Sequence, residues 1–170
     1  MTDKKLKQVM KSAIQMEKDG IEFYKDAAKN LQNPLGKEMF ESLIKDETRH
    51  LKLWRELAKN LDPEEFGKEK AKEFSGKIKT IFSNISQKVM ETTKTSAKEK
   101  EVIQGAIKIE EKGIKFYSEK AESLSGKDAD LAKRVADEER NHRKILENTL
   151  QYLVNPKDWN VEQENWFFEG

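Results

Sequence analysis

"LIKDETRHLKLW", residues 43–54, places His50 three positions after Glu47 in a run whose apolar residues recur at helical spacing. Ninety-two residues further on, "VADEERNHRKIL", residues 135–146, places His142 after Glu139 at the same interval. These are the only two histidines in the chain. Matching chemistry at one helical interval points to an internal duplication, and the preceding segments supply it. Residues 13–31, "AIQMEKDGIEFYKDAAKNL", align without gaps with residues 106–124, "AIKIEEKGIKFYSEKAESL", and agree at nine of nineteen positions. Residues 35–61 and 127–153 continue the match at an offset one residue shorter.

Each half therefore reads as helix, short turn, helix, with "NPLG" at 33–36 and "SGKD" at 125–128 as the punctuation. Two such hairpins make an all-α four-helix bundle, expected over residues 1–153 as one domain. Between the halves lies a connection, 62–96, that is too long for a tight turn. Ile78, Ile81, Phe82, Ile85 and Val89 recur there at helical spacing, which predicts an amphipathic crossover helix. Phe66 and Phe74 suggest a shorter helical piece before it.

Composition narrows the function. Lys+Arg of 33 against Asp+Glu of 32 leaves no overall pull on nucleic acid or an anionic membrane, and the signs are interleaved along the chain. The absence of cysteine excludes disulfides, thiolate metal sites and cysteine nucleophiles. No apolar run approaches the ~20 residues that span a bilayer, and "MTDKKLKQVMK" lacks the apolar segment of a secretory signal. The expectation is a cytoplasmic protein.

The stripes that should face the bundle axis contain unexpected residues. The alternating three-and-four rule selects Leu6, Met10, Ala13, Glu17, Gly20, Tyr24, Ala27 and Leu31 in the first helix. It selects Leu43, Glu47, His50, Trp54, Leu57 and Leu61 in the second. The third gives Ile103, Ala106, Glu110, Gly113, Tyr117 and Leu124; the fourth gives Val135, Glu139, His142, Leu146, Thr149 and Leu153. A glutamate interrupts the middle of every stripe, and in two of them a histidine follows one turn later. Four buried carboxylates cannot all stay ionised alone. Two divalent cations remove the difficulty, since their charge cancels that of four carboxylates. Carboxylate oxygen with some imidazole nitrogen suits iron, with manganese or zinc as substitutes. The expected ligands are Glu17, Glu47, His50, Glu110, Glu139 and His142.

Four further residues lie near that set. Tyr24 and Tyr117, two turns after Glu17 and Glu110, are either core tyrosines or donors to ligating carboxylates. Asp46 and Glu138 directly precede the ligand glutamates and could take the outer N–H of a histidine, on their own helix or across the bundle. Gly20 and Gly113 serve either close helix packing or space beside the metals. The tail, 154–170, crowds Trp159, Trp166, Phe167 and Phe168 after Pro156, and is read as a homodimer contact in preference to packing on its own bundle.

Taken together, "E…GIEFY", "DETRH", "E…GIKFY" and "EERNH" resemble the rubrerythrin branch of the ferritin-like di-iron carboxylate superfamily, over about residues 5–61 and 98–153. The resemblance implies a ferritin-like four-helix bundle with a long helical crossover and a centre of two iron ions held by the six residues above. It also implies reduction of hydrogen peroxide, or of dioxygen. Two departures stand out. With no cysteine there is no Cys₄ iron module, so the electrons are expected from a separate donor protein. The family's extra glutamate one turn after the third-helix ligand is Gly113 here, which leaves a more symmetric site. Ferritin-like iron oxidation and sequestration stays open as the alternative.

Overall fold

The computed structural model describes residues 3–61 and 97–154. They form four helices: α1 (Asp3–Asn30), α2 (Pro34–Leu61), α3 (Ala97–Ser123) and α4 (Gly126–Val154). At 1.5 Å per residue each is about 40 Å long. The expected all-α bundle of two helical hairpins is what the described residues build. The predicted crossover helix and the aromatic tail from residue 155 onward lie outside them.

Local chemistry fixes the hairpin turns. The Asn33 side chain accepts from the backbone N–H of Leu35 at 3.0 Å and of Gly36 at 3.4 Å, so Asn33 is the N-cap of α2. Pro34 then occupies the first helical position, where a missing N–H costs nothing. "NPLG" is thus the start of a helix more than a loop. At the other turn Gly126 has φ +57°, the left-handed region that favours glycine.

Chain direction follows from side chains that meet between the hairpins. Tyr24 of α1 reaches Glu110 of α3, and Tyr117 of α3 reaches Glu17 of α1. Residue numbers rise on one helix as they fall on the other, so α1 and α3 are antiparallel. Asp46 faces His142, and Glu138 faces His50, which makes α2 and α4 antiparallel as well. α2 and α3 therefore run the same way, so the end of α2 and the start of α3 lie at opposite ends of the bundle.

The interior is layered. One apolar cluster, including Leu31, Leu35, Met39, Phe40, Ile103 and Leu146, fills the end near the α1–α2 turn. Another, including Met10, Trp54, Leu131, Val135 and Ala136, fills the end near the α3–α4 turn. The two apolar layers sandwich the glutamates and histidines. The predicted stripes hold near the middle and drift at the ends: Leu6, Leu57, Leu61 and Leu124 are half-buried, and Ala58 is buried one position after Leu57. A straight helix turns once in 3.6 residues, so a three-and-four stripe slowly leaves the axis.

Glu99 was not a candidate from sequence. It is 5% exposed in the first turn of α3, and its Oε1 accepts from the backbone N–H of Gln32 at 2.6 Å and of Asn33 at 3.0 Å. It clasps the α1–α2 turn to the second hairpin. The duplicated position in the first hairpin is Leu6, so no periodic pattern announces this contact. Glu99→Ala strands those donors and is expected to lower stability by about 1–3 kcal/mol. Urea unfolding followed by circular dichroism measures it, with Leu6→Ala as the comparison at the opposite end.

Candidate metal centre

Glu17 on α1, Glu47 and His50 on α2, Glu110 on α3, and Glu139 and His142 on α4 converge in the polar layer. None is more than 4% exposed. Their donor atoms form two overlapping groups: Glu17, Glu47, His50 and Glu139, and Glu47, Glu110, Glu139 and His142. Within each group one donor atom per residue lies within 4.8 Å of the others. Glu47 and Glu139 belong to both groups. Glu17 and His50 belong to the first group alone, and Glu110 and His142 to the second alone.

The two imidazoles have the same orientation. His50 Nδ1 points inward, 3.3 Å from Glu139 Oε1 and 3.6 Å from Glu47 Oε2. His142 Nδ1 lies 3.1 Å from Glu47 Oε1 and 3.7 Å from Glu139 Oε2. Their rings stack with centroids 5.9 Å apart. The outer nitrogens face acids on the opposite hairpin: His50 Nε2 is 2.8 Å from Glu138 Oε2, and His142 Nε2 is 3.4 Å from Asp46 Oδ2. Of the two arrangements open to Asp46 and Glu138, the structure has the one across the bundle. With an outer Nε2–H given to a carboxylate, loss of the inner proton would leave the Nδ1 lone pair facing the cluster.

Arg49 links these two acids. It donates to Asp46 Oδ1 at 3.1 Å, to Glu138 Oε1 at 3.3 Å, and to Glu138 Oε2. The His50 and Arg49 contacts outweigh the cost of partial burial and hold the Glu138 carboxyl at about 2. Asp46 is lowered too: burial opposes ionisation, while His142 and Arg49 favour it.

On the α1–α3 side the tyrosines take the place of these ion pairs. Tyr24 donates to Glu110 Oε1, and Tyr117 to Glu17 Oε1. Burial, and next the facing glutamates, push both phenols well above their usual range, so both remain proton donors. Trp54 stacks on Tyr117 at 5.5 Å and 7°. A cavity of about 20 Å³, lined by residues including Gly20, Tyr24, Gly113 and Tyr117, adjoins the carboxylates. That is room for roughly one water. The two glycines differ. A Cβ on Gly113 would lie 3.4 Å from the Glu139 carboxylate, whereas one on Gly20 would meet nothing within 4 Å. A side chain at 113 would touch the Glu139 carboxylate, and one at 20 would enter open space.

The donor set fits a pair of cations on a test independent of motif. Buried polar atoms almost always find a hydrogen-bond partner. Here Glu47 Oε1, His50 Nδ1, Glu110 Oε2, Glu139 Oε1 and His142 Nδ1 of the central cluster are buried without one, as are a few atoms elsewhere, Trp54 Nε1 and Thr149 Oγ1 among them. Protons balance the charge when no metal is bound. Burial, and then their carboxylate neighbours, raise Glu17 and Glu110 well above the usual range. Burial alone would lower His50 and His142, but the surrounding carboxylates hold both well above the usual imidazole range. Against burial, the Glu17 carboxyl and both histidines keep Glu47 ionised. Burial and Glu47 oppose ionisation of Glu139, yet Glu110 and the histidines win. Two carboxylates and two imidazoliums then cancel, as four carboxylates and two divalent cations would.

The comparisons with known proteins agree with this picture. A sequence model of the family described as Rubrerythrin matches residues 4–100 and again 101–168, one match per half of the duplication. A solved structure of a hypothetical protein from Pyrococcus furiosus superposes with a TM-score of 0.67, at 23% identity, over 91% of this chain and 93% of that one. At that identity the likeness speaks for the fold alone. No curated protein matches the chain. None of the described helices is long and apolar enough to cross a membrane.

A metal ion would compete with protons for the same atoms in this cluster. Filling it near neutral pH is expected to release up to four protons per pair of divalent ions, from the Glu17 and Glu110 carboxyls and the two imidazoliums. Affinity should fall as pH falls, because acid refills those four positions. Calorimetry in buffers of different ionisation enthalpy reads the proton count directly; a value near zero contradicts this assignment of protonation states.

Proposed function

This chain belongs to the rubrerythrin family, and from that premise we propose that it is a di-iron carboxylate oxidoreductase. Its substrate is hydrogen peroxide in preference to dioxygen, and its electrons come from a separate donor protein. The observation that carries this reading is the pair of overlapping donor groups sharing Glu47 and Glu139 in a buried layer. When bound there, two ferrous ions supply the two electrons that hydrogen peroxide and two protons need to become two waters.

The chain's own residues do the rest. Glu17 with His50 would hold one ion and Glu110 with His142 the other, with Glu47 and Glu139 within reach of both. Glu138 and Asp46 fix the imidazole rings from behind, so the inner nitrogens keep their aim. Tyr24 and Tyr117 donate to Glu110 and Glu17, restraining carboxylates that must adjust as charge changes. The same phenols keep their protons beside the cavity. That cavity is small, which favours a small substrate, and the apolar layers above and below limit access of bulk water.

Iron oxidation coupled to sequestration would use the same donor set. Anaerobic loading with Fe(II), metal counting, and mixing with peroxide or oxygen separate the two readings. Two irons per chain, oxidised much faster by peroxide than by oxygen, are expected. Uptake far beyond two favours sequestration. Binding below about half an iron per chain, unchanged by Glu47→Ala, sinks the metal centre altogether. Tyr117→Phe should leave iron stoichiometry at two while slowing the peroxide reaction, and stopped-flow absorbance checks it.

A further inference from the structure

Arg49 occupies a position that the duplication does not repeat. Asp46 and Glu138 are counterparts in the two halves, as are His50 and His142, but the counterpart of Arg49 is Asn141. The cation is therefore present once, yet it reaches both acids. One guanidinium nitrogen serves Asp46 Oδ1 at 3.1 Å and also Glu138 Oε2, and the other serves Glu138 Oε1 at 3.3 Å. Each acid in turn faces the outer nitrogen of one histidine: Glu138 for His50 at 2.8 Å, Asp46 for His142 at 3.4 Å. The chain of contacts runs from one inner Nδ1, through an imidazole, a carboxylate, Arg49, the second carboxylate and the second imidazole, to the other inner Nδ1. Every link except Arg49 is paired by the pseudo-symmetry.

From this geometry we infer that Arg49 is a positioning residue for both halves of the centre: it ties the two histidine-orienting carboxylates into one unit, so that the two metal positions hold their ligands jointly. A guanidinium can do this because its fixed fork serves two carboxylates at once, whereas an ammonium is a single flexible point of charge. Its side chain is 42% exposed, on the outer face of the α2–α4 seam. It touches none of the inward donor atoms and acts only through Asp46 and Glu138. Loss of Arg49 frees both acids, and each imidazole can then rotate about its own side chain. The inference rests on the metal-centre reading above.

Cobalt(II), added anaerobically to the full chain, is the probe, with affinities from visible titration. The ring N–H resonances of ¹⁵N-labelled histidines, shifted by the bound ions, report each imidazole separately. Two Co(II) per chain are expected for the wild type. Arg49→Ala should weaken both sites by about 10–100-fold, the usual effect of removing an outer partner, and speed hydrogen exchange at both ring N–H groups. Glu138→Gln should affect only the His50 signal, and Asp46→Asn only that of His142. Arg49→Lys should recover less than half of the lost affinity on a logarithmic scale. Arg49→Gln, which keeps polarity but is shorter and uncharged, should behave as the alanine variant does, and far-UV circular dichroism verifies that each variant folds. Affinities within about twofold of wild type, loss at one site only, or full recovery by lysine would overturn the joint clamp while leaving the metal centre intact. A wild type that takes up no Co(II) overturns the metal centre, and the clamp with it.

Discussion

Charge neutrality in a dry layer is the constraint on which the rest of this protein depends. Four carboxylates and two imidazoles lie at the middle of a helical bundle, each almost fully buried. An isolated ion there would cost several kcal/mol, a large share of the net stability of a domain this size. The layer therefore exists only in neutral combinations, with protons or with divalent cations. Long helices answer the same constraint. They allow an apolar cluster on each side of the polar layer, and those clusters supply the burial that the layer itself cannot.

The pseudo-symmetry of the duplication distributes these roles, and its breaks are where the two halves acquire different duties. Tyr24 and Tyr117 answer each other across α1 and α3, as Asp46 and Glu138 do across α2 and α4. Glu99 clasps one end of the bundle, while its counterpart Leu6 is partly buried in the apolar cluster at the other. Trp54 stacks on Tyr117, while its counterpart Leu146 packs in the opposite cluster. Gly113 admits the Glu139 carboxylate, and Gly20 borders open space. Symmetric donor residues thus sit in an asymmetric shell.

The two sides of the centre also differ in character. The α2–α4 side is an ion-pair network that orients the imidazoles. The α1–α3 side carries neutral phenols, two glycines and the small cavity. Rigidity is concentrated where the nitrogen donors need aim, and space is concentrated where a small molecule could meet the carboxylates. In the proposed reaction the first side holds and the second side receives.

Much of this was legible in the sequence. The duplicated "E…GI.FY" and Glu-x-x-His segments determined four helices, the direction of each hairpin, and the six residues that share the core, because burial at a fixed helical interval is a local periodic property. The three-and-four stripe even placed Tyr24 and Tyr117 at the correct depth. Periodicity says nothing about which partner lies across an interface, and that is where tertiary structure decided. Only the packed bundle assigns Glu47 and Glu139 to both donor groups, turns Asp46 and Glu138 toward the opposite hairpin's histidines, and separates the duties of Gly20 and Gly113. Arg49 looked like one more solvated charge in a helix with many, since nothing in "DETRH" shows that a second acid will arrive from ninety residues away. The physical reason is the same throughout: a helix fixes which face a residue occupies, and only the neighbouring helix fixes what it meets there.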